Sequence, residues 1–118
     1  MTLSTPRLLA LSLAFAALTA GCGGVDTART ARLASASGDA DAAAPVYAAN
    51  CAGCHGADGT GKKGSPNLMG EHVRGMSREK LARVILGGDG PMPGFADKLD
   101  DGQIANLIAW IKRGPSQE

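Results

Sequence analysis

The sequence predicts an all-α fold of three to four helices, and three observations carry that prediction. Apolar residues recur at helical spacing in two places: Leu81, Val84 and Ile85, then Ile104, Leu107, Ile108 and Ile111. No stretch alternates convincingly with the period of two that a half-buried strand needs. Aromatics make up only 3% of the 118 residues and glycine supplies 17, so side chains alone would give a thin core. A domain this small with a thin core needs a disulfide, a metal or a cofactor to offset its chain entropy.

The N-terminus reads as an export signal over residues 1–21. Arg7 is its positive start, residues 8–20 form an apolar stretch, and Thr19-Ala20-Gly21 is a small-residue end. The apolar stretch is too short to span a bilayer as a mature helix. A buried core helix is the competing reading, which the basic start and the small-residue end disfavour. Leu18-Thr19-Ala20-Gly21-Cys22 resembles the lipobox of bacterial lipoproteins, and that resemblance implies lipidation of Cys22. Two or more acyl chains give stable membrane attachment, whereas one is marginal. Plain signal cleavage that leaves a free Cys22 thiol is the alternative.

Residues 23–43 are rich in Ala, Ser, Gly, Asp and Thr, with Val25 and Leu33 the only large apolar side chains. Such a composition buries too little surface to fold alone. With Cys22 it is expected to form a flexible linker over residues 22–43, with an end-to-end distance of roughly 25 Å.

The folded domain is expected over residues 44–118. Pro45 suits the first turn of a helix that carries Val46, Tyr47 and Asn50 into Cys51. A glycine-rich loop follows over residues 56–70. Ser77 is placed to cap a second helix, which Gly87-Gly88 ends. A third begins near Asp100, with Gln103 completing a capping box. Lys112 and Arg113 complement its C-terminal dipole, and Gly114-Pro115 stops it.

Cys51-Ala52-Gly53-Cys54-His55 is the attachment signature of a c-type haem. Residues three apart share a helix face, so both thiols can reach the two vinyl groups of one haem and form thioethers. His55 follows directly and is placed to ligate the iron as the proximal ligand. Two other readings compete. A thioredoxin-like redox pair lacks a βαβ pattern around it, and a zinc site would need a further ligand, with His72 the only other histidine.

The sixth iron ligand is expected to be Met92, in Gly90-Pro91-Met92-Pro93-Gly94-Phe95, 37 residues after His55. The prolines fix their own φ and bias the residue before each towards extended conformations, which holds the thioether in one place. Met69, Met76 and His72 are rivals. The two methionines read more simply as packing, and His72 as a surface residue.

With these motifs in hand, residues 44–118 resemble the class I cytochrome c family: CxxCH near the start, a Pro-x-Leu-x-Gly segment, a Met-Pro-x-Phe-like loop and a C-terminal helix. The resemblance implies a small cytochrome c fold, with the helices wrapped around one covalently bound haem c. It implies that the Pro66 carbonyl accepts the Nδ1–H of His55 and that Leu68 packs on the haem. It also implies that Tyr47 meets the last helix near Leu107 or Trp110.

Gly56-Ala57-Asp58-Gly59-Thr60-Gly61-Lys62-Lys63 nearly matches a phosphate-binding loop, but Lys63 stands where a hydroxyl is required and no strand precedes it. Its glycines are read as letting the chain turn close to the porphyrin. Lys62, Lys63 and Lys98 either line the exposed haem edge and steer an acidic redox partner or are ordinary solvated lysines. The net charge of +1 gives no case for nucleic acid.

The expected function is therefore single-electron carriage in a respiratory or related redox chain, not enzymatic turnover. The location is the periplasmic side of a bacterial envelope, lipid-anchored to a membrane or soluble. The partners are redox proteins, met as a monomer or as a subunit of a complex. A haem-based ligand sensor with a labile distal ligand and a fixed relay subunit of a larger oxidoreductase are the alternatives.

Overall fold

A computed structural model describes residues 24–62 and 64–114. The export signal, Cys22, Lys63 and Pro115 lie outside the described residues. Among the described residues six helices follow one another: α1 (Thr27–Ser35), α2 (Ala44–Asn50), α3 (Ala52–His55), α4 (Glu71–Arg74), α5 (Arg78–Gly87) and α6 (Asp101–Arg113), with a 3₁₀ turn at Asp41–Ala43 leading into α2. Among the described residues the extended pairing is a single bridge between Asp89 and Met92. The all-α expectation is met.

The last helix organises the rest. Asp100 accepts from the Gln103 amide at 2.8 Å while the Gln103 side chain accepts from the Asp100 amide at 3.0 Å, which completes the expected capping box. Ile104, Leu107, Ile108 and Ile111 are all buried, as their spacing requires. Lys112 does more than complement the dipole: its Nζ donates to the carbonyls of Arg74 (2.7 Å) and Met76 (2.8 Å), which ties the end of α4 to α6. On α5, Ser77 accepts from the Lys80 amide at 3.1 Å, and Leu81, Ala82, Ile85 and Leu86 are buried.

The sequence reading of residues 22–43 as a flexible linker is corrected over residues 27–43. Asp26 caps α1 by accepting from the Arg29 amide at 3.0 Å, and Thr30 and Leu33 are buried, Leu33 completely. Helix α1 packs on α5 and α6. Its Arg29 donates to Asp101 Oδ1 (2.6 Å), the Ala96 carbonyl (2.7 Å) and the Leu99 carbonyl (2.7 Å). That guanidinium holds the Asp101 carboxyl below the usual carboxylate range, chiefly through the hydrogen bond. Downstream, the Arg78 side chain donates to the Ala36 carbonyl at 2.5 Å, and the Asp39 amide donates to Asn106 Oδ1 at 2.8 Å. A Cβ at Gly38 would collide with the Ala105 carbonyl, so the connecting segment lies directly on α6. The folded domain thus starts well before Ala44. Its first helix needs little apolar surface because one arginine fork and one leucine anchor it.

Leu33→Ala is expected to destabilise the protein by about 2–4 kcal/mol, the usual cost of emptying a fully buried leucine site. Thermal unfolding reads this as a lowered midpoint. A residue in an unpacked linker would change stability by no more than about 0.5 kcal/mol.

Candidate functional site

Helices α2, α3, α5 and α6 and the segments between them enclose a mostly apolar cavity of ≈ 330 Å³. Cys51, Cys54 and His55 line it from one part of the chain, Pro66 and Leu68 from the following loop, and Met92 from the segment after α5. Every site residue expected within the folded domain therefore borders the same space. The sequence did not single out Val73, Lys80 or Leu99 as lining residues.

Helix α2 ends as Cys51 leaves helical geometry, and α3 restarts the chain for one turn, where the His55 amide donates to the Cys51 carbonyl at 2.9 Å. The turn presents residues 51 and 54 side by side, half-buried and exposed respectively, with both thiols free. Burial pushes the Cys51 thiol up, and the neighbouring Cys54 adds to the shift.

His55 is buried, and its Nδ1 lies 3.1 Å from the Pro66 carbonyl oxygen. A carbonyl only accepts, so Nδ1 carries the proton and donates. In the neutral ring this leaves the lone pair on Nε2, the atom that a metal would take. The loop between these residues is built for that contact. Gly61 donates to the His55 carbonyl at 2.8 Å, and Leu68 donates to the Gly59 carbonyl at 2.7 Å. Gly61 sits at φ 95, and a Cβ there would come within 2.8 Å of the Ser65 carbonyl. The Gly59 amide is likewise bonded to the Gly56 carbonyl, and the Thr60 amide to Asp58 Oδ1. The Gly59, Thr60 and Gly61 amides, which a phosphate-binding loop would offer its ligand, are thus already bonded within the segment.

Met92 is held by its backbone. The Met92 and Asp89 amides each donate to the other residue's carbonyl, at 3.0 and 3.1 Å, around Gly90-Pro91. Phe95 then donates to the Ile85 carbonyl at 2.8 Å and Ala96 to the Leu86 carbonyl at 3.2 Å, folding the segment back over the end of α5. Gly88 makes the reversal possible: it sits at φ 79, and a Cβ there would collide with the Met92 carbonyl.

The rivals fall in different places. Met69 packs beside Gly59 and is not among the lining residues, and His72 is exposed on α4. Met76 does line the cavity. Lys62 donates to the Gly53 carbonyl at 3.3 Å, beside the cysteines, whereas Lys98 lies over the Phe95 ring at 5.6 Å.

Tyr47 locks the cysteine segment to α6. Its ring lies 4.3 Å from that of Trp110, one of the two positions on the last helix that the family resemblance implied, and its hydroxyl donates to the Gly56 carbonyl at 2.6 Å. Desolvation, with smaller contributions from Cys51 and Asp58, pushes the phenol up to about 12.

An apolar cavity, two unpaired thiols one helical turn apart and a buried imidazole with a free Nε2 lone pair fit a covalently held haem. Fold and site together define a small all-α domain of the haem-binding, CxxCH-bearing class. Comparison with known proteins agrees. The family described as cytochrome c oxidase, cbb3-type, subunit III matches residues 38–111, and the chain belongs to that family of c-type cytochrome domains. Cytochrome c6 of Bryopsis maxima is 32% identical over 79 residues, covering 63% of this chain and 90% of the relative. The cbb3-type cytochrome c oxidase subunit CcoP of Rubrivivax gelatinosus is 45% identical over 79 residues, covering 62% of this chain but 26% of that protein. The crystal structure of cytochrome cL from Hyphomicrobium denitrificans aligns with a TM-score of 0.55 at 28% identity, over 71% of this chain and 50% of that one. Members of the family bind haem c covalently, and the general role is monohaem electron transfer.

Tyr47 is the chain's one tyrosine, so a tyrosinate difference titration reads it alone. It is expected to ionise near 12 instead of near the ordinary 10.0. Because the folded-state value is raised, the stabilisation is fully present below pH 10.0 and is lost as pH rises towards 12. Tyr47→Phe should remove that part of the alkaline stability loss.

Proposed function

We propose that the protein is a membrane-tethered single-electron carrier in a respiratory or related redox chain, with its haem held by Cys51, Cys54, His55 and Met92. The observation that supports this most directly is the convergence of Cys51, Cys54, His55 and Met92 on one apolar cavity. When bound, the haem supplies one-electron exchange between the ferrous and ferric states. The chain's own residues do the rest. Cys51 and Cys54 fix the group covalently through thioethers. Pro66 orients the His55 ring and strengthens it as a donor through the Nδ1 bond. The bonds around Gly90-Pro91 hold the Met92 thioether in place in both oxidation states, so little rearranges on transfer. Leu68, Val73 and Leu81 keep water from the group. Thioether ligation favours the reduced state and raises the potential.

In this reading the domain carries electrons between redox proteins and performs no bond-making chemistry on a substrate. No helix among the described residues is long and apolar enough to cross a membrane. In this reading the attachment is the lipid of Cys22, whose lipobox-like context supports it, on the periplasmic side of the envelope. A second reading, a fixed electron-relay subunit, is favoured by the likeness to CcoP and to the cytochrome c subunit of the quinone alcohol dehydrogenase of Gluconobacter oxydans, 35% identical over 104 residues. Co-purification in a fixed stoichiometry with an oxidoreductase separates it from a free carrier.

The ligation is tested by the sulfur-to-iron charge-transfer band of the oxidised protein. The band is expected in the parent and in Met76→Ala, and absent in Met92→Ala, whose reduction potential should also fall. Retention of the band in Met92→Ala would assign the ligand elsewhere.

A further inference from the structure

We infer that Arg29, on a helix that precedes the family-matched residues 38–111, is a positioning residue for the Met92 segment, acting from outside the cavity. The inference rests on Met92 being an iron ligand, as proposed above.

The Met92 segment is secured at two ends. At its start, the paired Asp89–Met92 bonds close the turn. At its far end, Phe95 and Leu99 are buried and line the cavity, and the chain between them turns through Phe95 carbonyl bonds from Lys98 and Leu99. The Phe95 and Ala96 amides tie the turn to α5 through the Ile85 and Leu86 carbonyls, and Arg29 ties its carbonyl side to α1 and α6. The Arg29 Nη1 takes the Ala96 carbonyl and its Nη2 the Leu99 carbonyl, each at 2.7 Å, and its Nε takes Asp101 Oδ1 at 2.6 Å. Arg29 is the only hydrogen-bond partner of both carbonyls among the described residues.

One rigid fork thus spans the segment from four residues after Met92 to the first turn of α6. The side chain is 17% exposed, its bond to the Leu99 carbonyl is partly buried, and charged guanidinium bonds are stronger than neutral ones. Leu33 and Thr30, buried on the same helix, keep the fork in place. Releasing it leaves the turn held by the Phe95 and Ala96 amide bonds to α5 and by the burial of Phe95 and Leu99, which loosens the distal end of the Met92 segment. The thioether then leaves the iron more often, and the distal position opens to exogenous ligands.

The test compares holoprotein carrying Arg29→Met, which keeps an apolar stem but no fork, with Arg29→Lys, which keeps the charge but cannot bond both carbonyls. Arg113→Ala, which breaks the exposed Asp41 pair at the other end of α6, is the control. In Arg29→Met the charge-transfer band should fade on warming well below global unfolding. Carbon monoxide should bind the reduced protein about tenfold faster, a change equivalent to about 1.4 kcal/mol less restraint on the thioether out of the three bonds lost. Arg29→Lys should fall between this variant and the parent, and Arg113→Ala should match the parent. If both Arg29 variants lower the unfolding midpoint while band loss and carbon monoxide binding simply follow it, Arg29 is a general stabiliser and the inference is overturned. If the parent itself lacks the band, the ligand assignment falls, and this inference with it.

Discussion

The structure depends on a space that its side chains do not fill. Helices that would normally interdigitate instead stand around ≈ 330 Å³ lined by Leu68, Val73, Leu81, Leu107 and Ile111. Apolar surface left facing water forfeits about 25 cal/mol per Å², which weighs against the roughly 5–15 kcal/mol that stabilises a small domain. A chain with 3% aromatics has no side chain to spare for that space. A covalent haem offsets this cost because it supplies the missing contacts and cannot dissociate. Core and functional group are then one object, and the stability and chemistry of the domain are not separable.

The remaining architecture acts on the edges of that space. Tyr47 and Trp110 join the cysteine segment to α6. The loop over residues 56–68 turns inward to bring a carbonyl to His55. The segment after α5 is doubled back and bonded at several points, so backbone geometry presents Met92 alongside its packing on the core. Helix α1 adds an outer brace, reaching the far side of that segment through one arginine.

The features legible in the sequence were those whose partners lie close along the chain. CxxCH is a single helical turn, the capping box at Asp100 and Gln103 spans three residues, and Pro-Met-Pro announces its own stiffness. The stripes of α5 and α6 follow from periodicity alone. Helix α1 was not legible because its anchoring is remote: Arg29 finds its acceptors 67 to 72 positions away, and only Thr30 and Leu33 are buried. Such a helix has the composition of a linker. Helix α4, four residues long with Val73 its one buried side chain, was too short to leave a pattern. Lys112 was read as a dipole partner because the carbonyls it binds are 36 and 38 residues distant.

The central claim, that Cys51 and Cys54 hold one haem that completes this core, is tested most directly by mass spectrometry of protein made in cells competent for c-type maturation. The added mass of a single haem is expected on the peptide that spans Cys51 to His55, with neither thiol open to alkylation. A protein of unmodified mass, with both thiols alkylated or joined to each other as a disulfide, would contradict it.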